Sequence, residues 1–208
     1  PKSDSRINLP LGDGPGFACV CYHCMAKEFS KIDTEIREWI SRQRVFFVST
    51  APLSGGGLIN CSPKGMDTFR VLDDHTVAYL DLTGSGVETI AHLKENGRIV
   101  IMMCAFAGLP KIFRFHGKGK VLEKGGESFE RCIGRFHEYP GARSIIKVAV
   151  ERISDSCGYS VREYEFGNER DVLVKWAEKK GDAGVIDYQQ GNNCVSLDGL
   201  SGLERKKI

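Results

Sequence analysis

The sequence has no apolar run long enough to cross a membrane as a helix. Its longest candidate, Ile99 to Ala107, has the length of a strand. It also has almost no excess of either charge: 29 Lys and Arg stand against 27 Asp and Glu, a net of +2. That balance gives no basis for a nucleic-acid partner. There is no internal repeat and no low-complexity linker. The 8 cysteines lack a framework: Cys61, Cys104, Cys132, Cys157 and Cys194 are scattered without metal-like pairing. They read as buried, reduced thiols, which points to a cytoplasmic protein. Cys19, Cys21, His23 and Cys24 do cluster, but too tightly for an ordinary zinc finger, and no second ligand pair follows. No metal is expected. The first residue, Pro1, is not an initiator methionine. Residues 1–24, broken by Pro10, Gly12, Gly14, Pro15 and Gly16, read as a leader, a tag remnant or an upstream extension. They lack the basic segment and long apolar stretch of a secretory signal.

What is present suits one globular domain over 25–208. Of the 208 residues, 41% are hydrophobic and 27% charged, enough for a core without disulfide staples. Asp33 to Arg42 reads as a helix with Ile36, Trp39 and Ile40 on one face and Asp33 as its cap. Arg44 to Thr50 and Leu58 to Ser62 read as a hairpin around Gly55-Gly56-Gly57. Phe69 to Leu72 and Thr76 to Leu80 give two more strands, and Arg98 to Ala105 a buried one. Ile112 to Leu122 alternates apolar and polar residues, so one face is covered. Glu127 to His137 reads as a helix, Ser144 to Ile153 as a strand, and Tyr159 to Phe166 alternates again. Glu169 to Lys180 reads as a helix with Val172, Leu173 and Trp176 on one face, stopped by Gly181. The polar tail from Asp182 wraps the domain. Many short strands with few helices predict a mainly β (α+β) protein built as a small barrel with flanking helices. A doubly wound parallel sheet would need a helix after nearly every strand.

The chain is organised around Tyr79-Leu80-Asp81-Leu82-Thr83-Gly84-Ser85-Gly86-Val87-Glu88-Thr89. This reads as strand, glycine turn, helix. Ser85 and Glu88 fit a capping box for a helix running to Asn96, with Gly97 as its left-handed stop. Free amides there, with no side chain on Gly84 or Gly86, can bind a phosphate or another anion. A capped junction with no ligand is the other reading.

With Ile59-Asn60-Cys61-Ser62-Pro63-Lys64-Gly65, Phe69 to Asp74, Asn96-Gly97-Arg98, Arg114 to Gly119 and Cys157 to Val161 added, the sequence resembles the pyridoxamine 5′-phosphate oxidase-like superfamily. These are the FMN-binding split barrels. The resemblance runs from Phe29 to Leu203. It implies a homodimer with FMN held between subunits. It also implies that Ser62, Pro63, Lys64 and Gly65, with Tyr79, Leu80 and Asp81, line the flavin, and that Gly84 and Ser85 lie near its phosphate. The true oxidases carry Ser-Arg-Lys at the start of the central helix. Here the aligned residues are Val87-Glu88-Thr89. Phosphate binding then falls to amides, Thr89, Lys64 or Arg114. Arg162 is a second departure, standing where proline is usual.

Lys64 reads equally as a phosphate-facing cation or a surface lysine, and the resemblance turns Arg114 toward cofactor or interface. His116 reads as structural, His92 as a surface or capping residue, Trp176 as core or dimer contact, and Tyr79 and Tyr159 as packing. No general acid or base stands out, so the catalytic residues stay unknown. In flavoenzymes the isoalloxazine carries the chemistry. Two functions follow: an FMN-dependent oxidoreductase acting on an unknown small molecule, or a non-catalytic flavin or small-ligand binding protein, a carrier or sensor, on the same fold.

Overall fold

A computed structural model describes residues 27–205. The segment read as a leader, and the Cys19 to Cys24 cluster, lie outside the described residues. The strands are β1 (Glu28–Phe29), β2 (Phe46–Thr50), β3 (Asn60–Lys64), β4 (Phe69–Val71), β5 (Thr76–Leu82), β6 (Arg98–Cys104), β7 (Ile112–Glu123) and β8 (Ala142–Ser156). The helices are α1 (Thr34–Ser41), α2 (Glu88–Asn96), α3 (Glu127–Ile133) and α4 (Val172–Asn192). The strands form an antiparallel sheet in the order β3-β2-β6-β7-β8-β5-β4, and β1 adds to β8. The sheet curls into a split barrel, as expected. Its two end strands, β3 and β4, flank an open seam. Near that seam the ring of Phe46 meets Phe69 at 5.1 Å and Tyr79 at 5.4 Å.

Period-two alternation decides which residues meet. On β5, Val77 and Tyr79 point into the main core, with Ile101, Phe113, Phe115 and Ile146. Ala78 and Leu80 point the other way, into a second cluster with Leu122, Phe129 and Ile145 that α3 covers. The α1 residues Ile36, Trp39 and Ile40, the α2 residues Ile90 and Leu93, and Val87 just before α2 join the main core. Where β7 and β8 slip register at His116/Gly117, the two backbones approach so closely that a Cβ on Gly117 would overlap the Ala149 carbonyl.

Five local expectations are revised. α2 starts at Glu88, with Val87 as N-cap and no side-chain cap hydrogen bond, so Ser85 does not cap it. The glycine turn stays outside the helix for two residues longer than a capping box requires. α3 ends at Ile133, well short of His137. Tyr159 to Phe166 forms no strand. It leaves the sheet after β8 and is held by Tyr164 N–H donating to the Phe106 carbonyl. Gly181 (φ 66°, ψ 170°) breaks α4 rather than ending it, and a further helical run reaches Asn192. Val172 and Leu173 lie exposed, and Ala177 is the residue of that turn which is buried.

The thiols divide. Cys104 and Cys194 are buried and Cys132 half-buried, but Cys61 and Cys157 are exposed. Among the described residues no group of three or more His, Cys, Asp and Glu could hold a metal, and no helix is long and apolar enough to cross a membrane.

Candidate functional site

Strand β3 is an edge strand, and alternation turns Asn60, Ser62 and Lys64 to one side while Cys61 and Pro63 stay exposed. That side faces the Gly84-Ser85-Gly86 turn and the start of α2 across a cleft of about 320 Å³, with Thr89 and Arg143 completing the wall. Hydroxyls and amides hold one another here. Ser62 Oγ donates to Asn60 Oδ1 at 3.0 Å, and Asn60 Nδ2 donates to Thr89 Oγ1 at 3.0 Å.

Two cations converge on one carboxylate behind this wall. Lys64 Nζ lies 3.0 Å from Asp81 Oδ1, and Arg143 Nε lies 2.7 Å from Asp81 Oδ2. Arg143 Nη1 also donates to the Gly86 carbonyl and to Asn193 Oδ1, both at 2.9 Å, which fixes the glycine turn to β8 and to the end of α4. Asp81 is 1% exposed. Burial pushes its carboxyl upward, but the Arg143 and Lys64 charges and hydrogen bonds outweigh that and hold it at about 2. The cleft therefore keeps both cations oriented, with one counter-charge buried and Glu88 on its wall.

Of the residues singled out in the sequence, the structure brings Ser62, Pro63, Lys64, Gly84, Ser85 and Thr89 to this cleft. Asp81 lies directly behind it. Gly65 sits one residue past β3, its carbonyl accepting from Thr68 Oγ1 at 2.8 Å. Tyr79 and Leu80 do not line the cleft. Tyr79 is wholly buried in the main core, its hydroxyl has no hydrogen-bond partner among the described residues, and burial with the nearby Asp81 charge raises its pKa well above the usual phenol value. Leu80 packs in the second cluster. Arg114 stands apart, near the start of β7, donating through Nη1 to Ser156 Oγ at 2.8 Å. Arg143 and Asn60 were missed. A cation at the head of the apolar run Ser144-Ile145-Ile146 was the available signal for Arg143.

His92 is also corrected. It is fully buried rather than at the surface: Nδ1 lies 2.9 Å from Thr50 Oγ1, and Nε2 lies 3.7 Å from Asp198 Oδ2. Asp198 in turn accepts from the Leu58 amide at 3.0 Å. The tail after α4 thus crosses α2 and ties down the β2–β3 loop, whereas Asp182 to Asn192, read as part of the tail, is helical. Asn193, at the end of α4, supports the glycine turn from behind: Nδ2 donates to the Gly84 carbonyl at 3.1 Å.

Residues 32–157, which span α1 to the end of β8, match the family model described as pyridoxamine 5′-phosphate oxidase. Over 193 residues the chain is 38% identical to the pyridoxamine 5′-phosphate oxidase family protein ustO of Aspergillus flavus, covering 84% of this chain and 77% of the relative. The chain belongs to the pyridoxamine 5′-phosphate oxidase family. Among solved structures, this family member is similar to HupZ of Group A Streptococcus, with 26% identity and a TM-score of 0.45, over 59% of this chain and 91% of that one. It is also similar to an FAD-binding protein of Mesorhizobium loti, with 12% identity and a TM-score of 0.45, over 63% of this chain and 95% of that one.

Proposed function

We propose that this family member binds FMN and acts as a flavin-dependent oxidoreductase on a small molecule, with the 320 Å³ cleft as the seat of the phosphate. One observation carries the reading. Lys64 and Arg143 are held beside a glycine turn at a helix start, the combination of fixed cations and open backbone that suits a phosphate. Ligand pockets run from about 300 to 1,000 Å³, so a cleft at the low end of that range fits the phosphate and ribityl end of the cofactor. Ser62, Asn60 and Thr89 supply hydroxyl and amide partners for the ribityl chain. The buried Asp81 keeps the two cations in place before any ligand arrives.

When bound, FMN supplies the hydride or electron transfer, and the chain positions it and shields it. Gly65 and Asp81 act as support for the site. Arg114, Tyr79 and Leu80 belong to it only through a partner subunit or through backbone atoms. A homodimer with the flavin between subunits fits that division, because Arg114 lies away from the cleft of its own chain.

The second reading, a non-catalytic flavin carrier, draws on a specific observation. The strongly perturbed carboxylate at the cleft, Asp81, is shifted toward permanent ionisation rather than toward a working acid or base. An absorption spectrum with added FMN, followed by anaerobic reduction and aerobic turnover, separates the two. An oxidoreductase shows a bound flavin that is reduced and reoxidised with product formation. A carrier shows the same bound flavin without turnover, and a protein with no flavin absorbance after FMN addition and gel filtration contradicts both.

A further inference from the structure

Glu88 is the first residue of α2, and its carboxylate turns back over the glycine turn. A Cβ placed on Gly86 would overlap Glu88 Oε2, so the space that glycine leaves open is filled by the chain's own anion. The other oxygen, Oε1, accepts from the Leu197 amide at 3.4 Å, in the strap that crosses α2. Glu88 lines the same cleft as Lys64 and Arg143, and Arg143 holds the Gly86 carbonyl from the far side. The glycine turn therefore already accommodates an anionic oxygen.

We propose that Glu88 is the specificity residue of the cleft, an internal stand-in for the phosphate that an incoming phosphate has to displace. The proposal rests on the flavin reading above for its cofactor, but its chemistry concerns any phosphate-bearing ligand. Two anionic groups cannot share the space above Gly86, so a phosphate gains the turn only when Glu88 leaves it. A ligand without phosphate meets no such competition. Glu88 thus lowers the preference for FMN over riboflavin, a repulsive element of the kind that sets specificity by penalising one ligand. Its departure also frees the Leu197 amide, while Asp198 keeps the strap on Leu58. Phosphate binding and loosening of the strap at Leu197 are then one event.

The experiment compares the full chain with Glu88→Gln, which keeps size and removes charge. Glu88→Ala serves as a second variant, and thermal midpoints confirm that all three fold. FMN, riboflavin and inorganic phosphate are titrated calorimetrically, and hydrogen exchange is read at Leu197. Removing the competing charge should tighten FMN and inorganic phosphate by about tenfold, the low end for a charge-assisted contact, and leave riboflavin unchanged. FMN, and not riboflavin, should speed exchange at Leu197 in the full chain. Unchanged affinity for FMN and for phosphate in both variants overturns the role of Glu88 while leaving flavin binding intact. If no flavin binds to any of the three proteins, the flavin reading fails and the phosphate arm still decides. Tighter phosphate binding in Glu88→Gln upholds Glu88 as the stand-in, and equal or absent phosphate binding overturns it.

Discussion

Lys64 and Asp81 meet at the open seam of the barrel, ammonium to carboxylate at 3.0 Å, one from the end of an edge strand and the other from inside β5. Arg143 closes the same carboxylate from β8. The triad ties edge strand β3 to the paired strands β5 and β8, and it places two cations and one buried carboxylate at the cleft.

Removing the shared carboxylate should be costly. Asp81→Asn leaves Arg143, 5% exposed, and the partly buried Lys64 without their counter-charge. Breaking a buried pair in this way typically costs about 3–5 kcal/mol. Urea denaturation should show a loss of that size. A loss under about 1 kcal/mol, the range of a surface pair, would show that the triad is solvated.

The same carboxylate gives the protein an acid limb. Its folded pKa of about 2 lies below the ordinary value of 3.8, so the stabilisation is complete above about pH 4 and is lost as pH falls toward 2. A shift of this size corresponds to about 2 kcal/mol. The pH profile of unfolding free energy should fall across that window, and Asp81→Asn should flatten it there. An identical slope in the variant would assign the acid limb to other carboxylates.

The start of α1 and the start of α2 make a contrast that mutation can read. Asp33 is a true N-cap, its Oδ1 accepting from the Ile36 amide at 2.9 Å, whereas Ser85 caps nothing. Asp33→Ala should cost about 1 kcal/mol, and Ser85→Ala should stay within about 0.5 kcal/mol of the parent. The reverse order in thermal unfolding would move the start of α2 back to Ser85.

Tyr79→Phe removes a buried hydroxyl that has no hydrogen-bond partner among the described residues. Loss of an unsatisfied group from the core should leave stability unchanged or raise it by up to about 1 kcal/mol. A drop in the melting midpoint would mean that the hydroxyl is bonded in solution. A loss of FMN affinity at unchanged stability would return Tyr79 to the cofactor site.

Local patterns made the barrel legible. The β-branched and aromatic runs of β2 and β5, the alternation along β7 and the glycine after Asn96 each act over a few residues, and the corresponding strands and the end of α2 lie where those patterns put them. The cleft was half legible. Ser62-Pro63-Lys64 and Gly84-Ser85 were marked by composition and family resemblance, but Arg143 lies 62 residues from Asp81, and nothing local announces that they pair. Tyr79 and Leu80 do not line this cleft for a simple reason. Neighbours on a strand face opposite sides, and both sides of β5 are covered here. Tyr159 to Phe166 carries a strand's alternation but joins no strand edge, so it hydrogen-bonds locally and to Phe106 instead.

The most direct test of the central claim is the affinity of the purified protein for FMN and for riboflavin, measured by quenching of flavin fluorescence, with Lys64→Ala beside the parent. A phosphate seated between Lys64 and Arg143 predicts tighter binding of FMN than of riboflavin. It also predicts that Lys64→Ala weakens FMN by about 10- to 100-fold, as for loss of one charge-assisted bond, and barely changes riboflavin. Equal affinity for the two flavins, together with an FMN affinity that Lys64→Ala leaves unchanged, would contradict the assignment of this cleft to the phosphate.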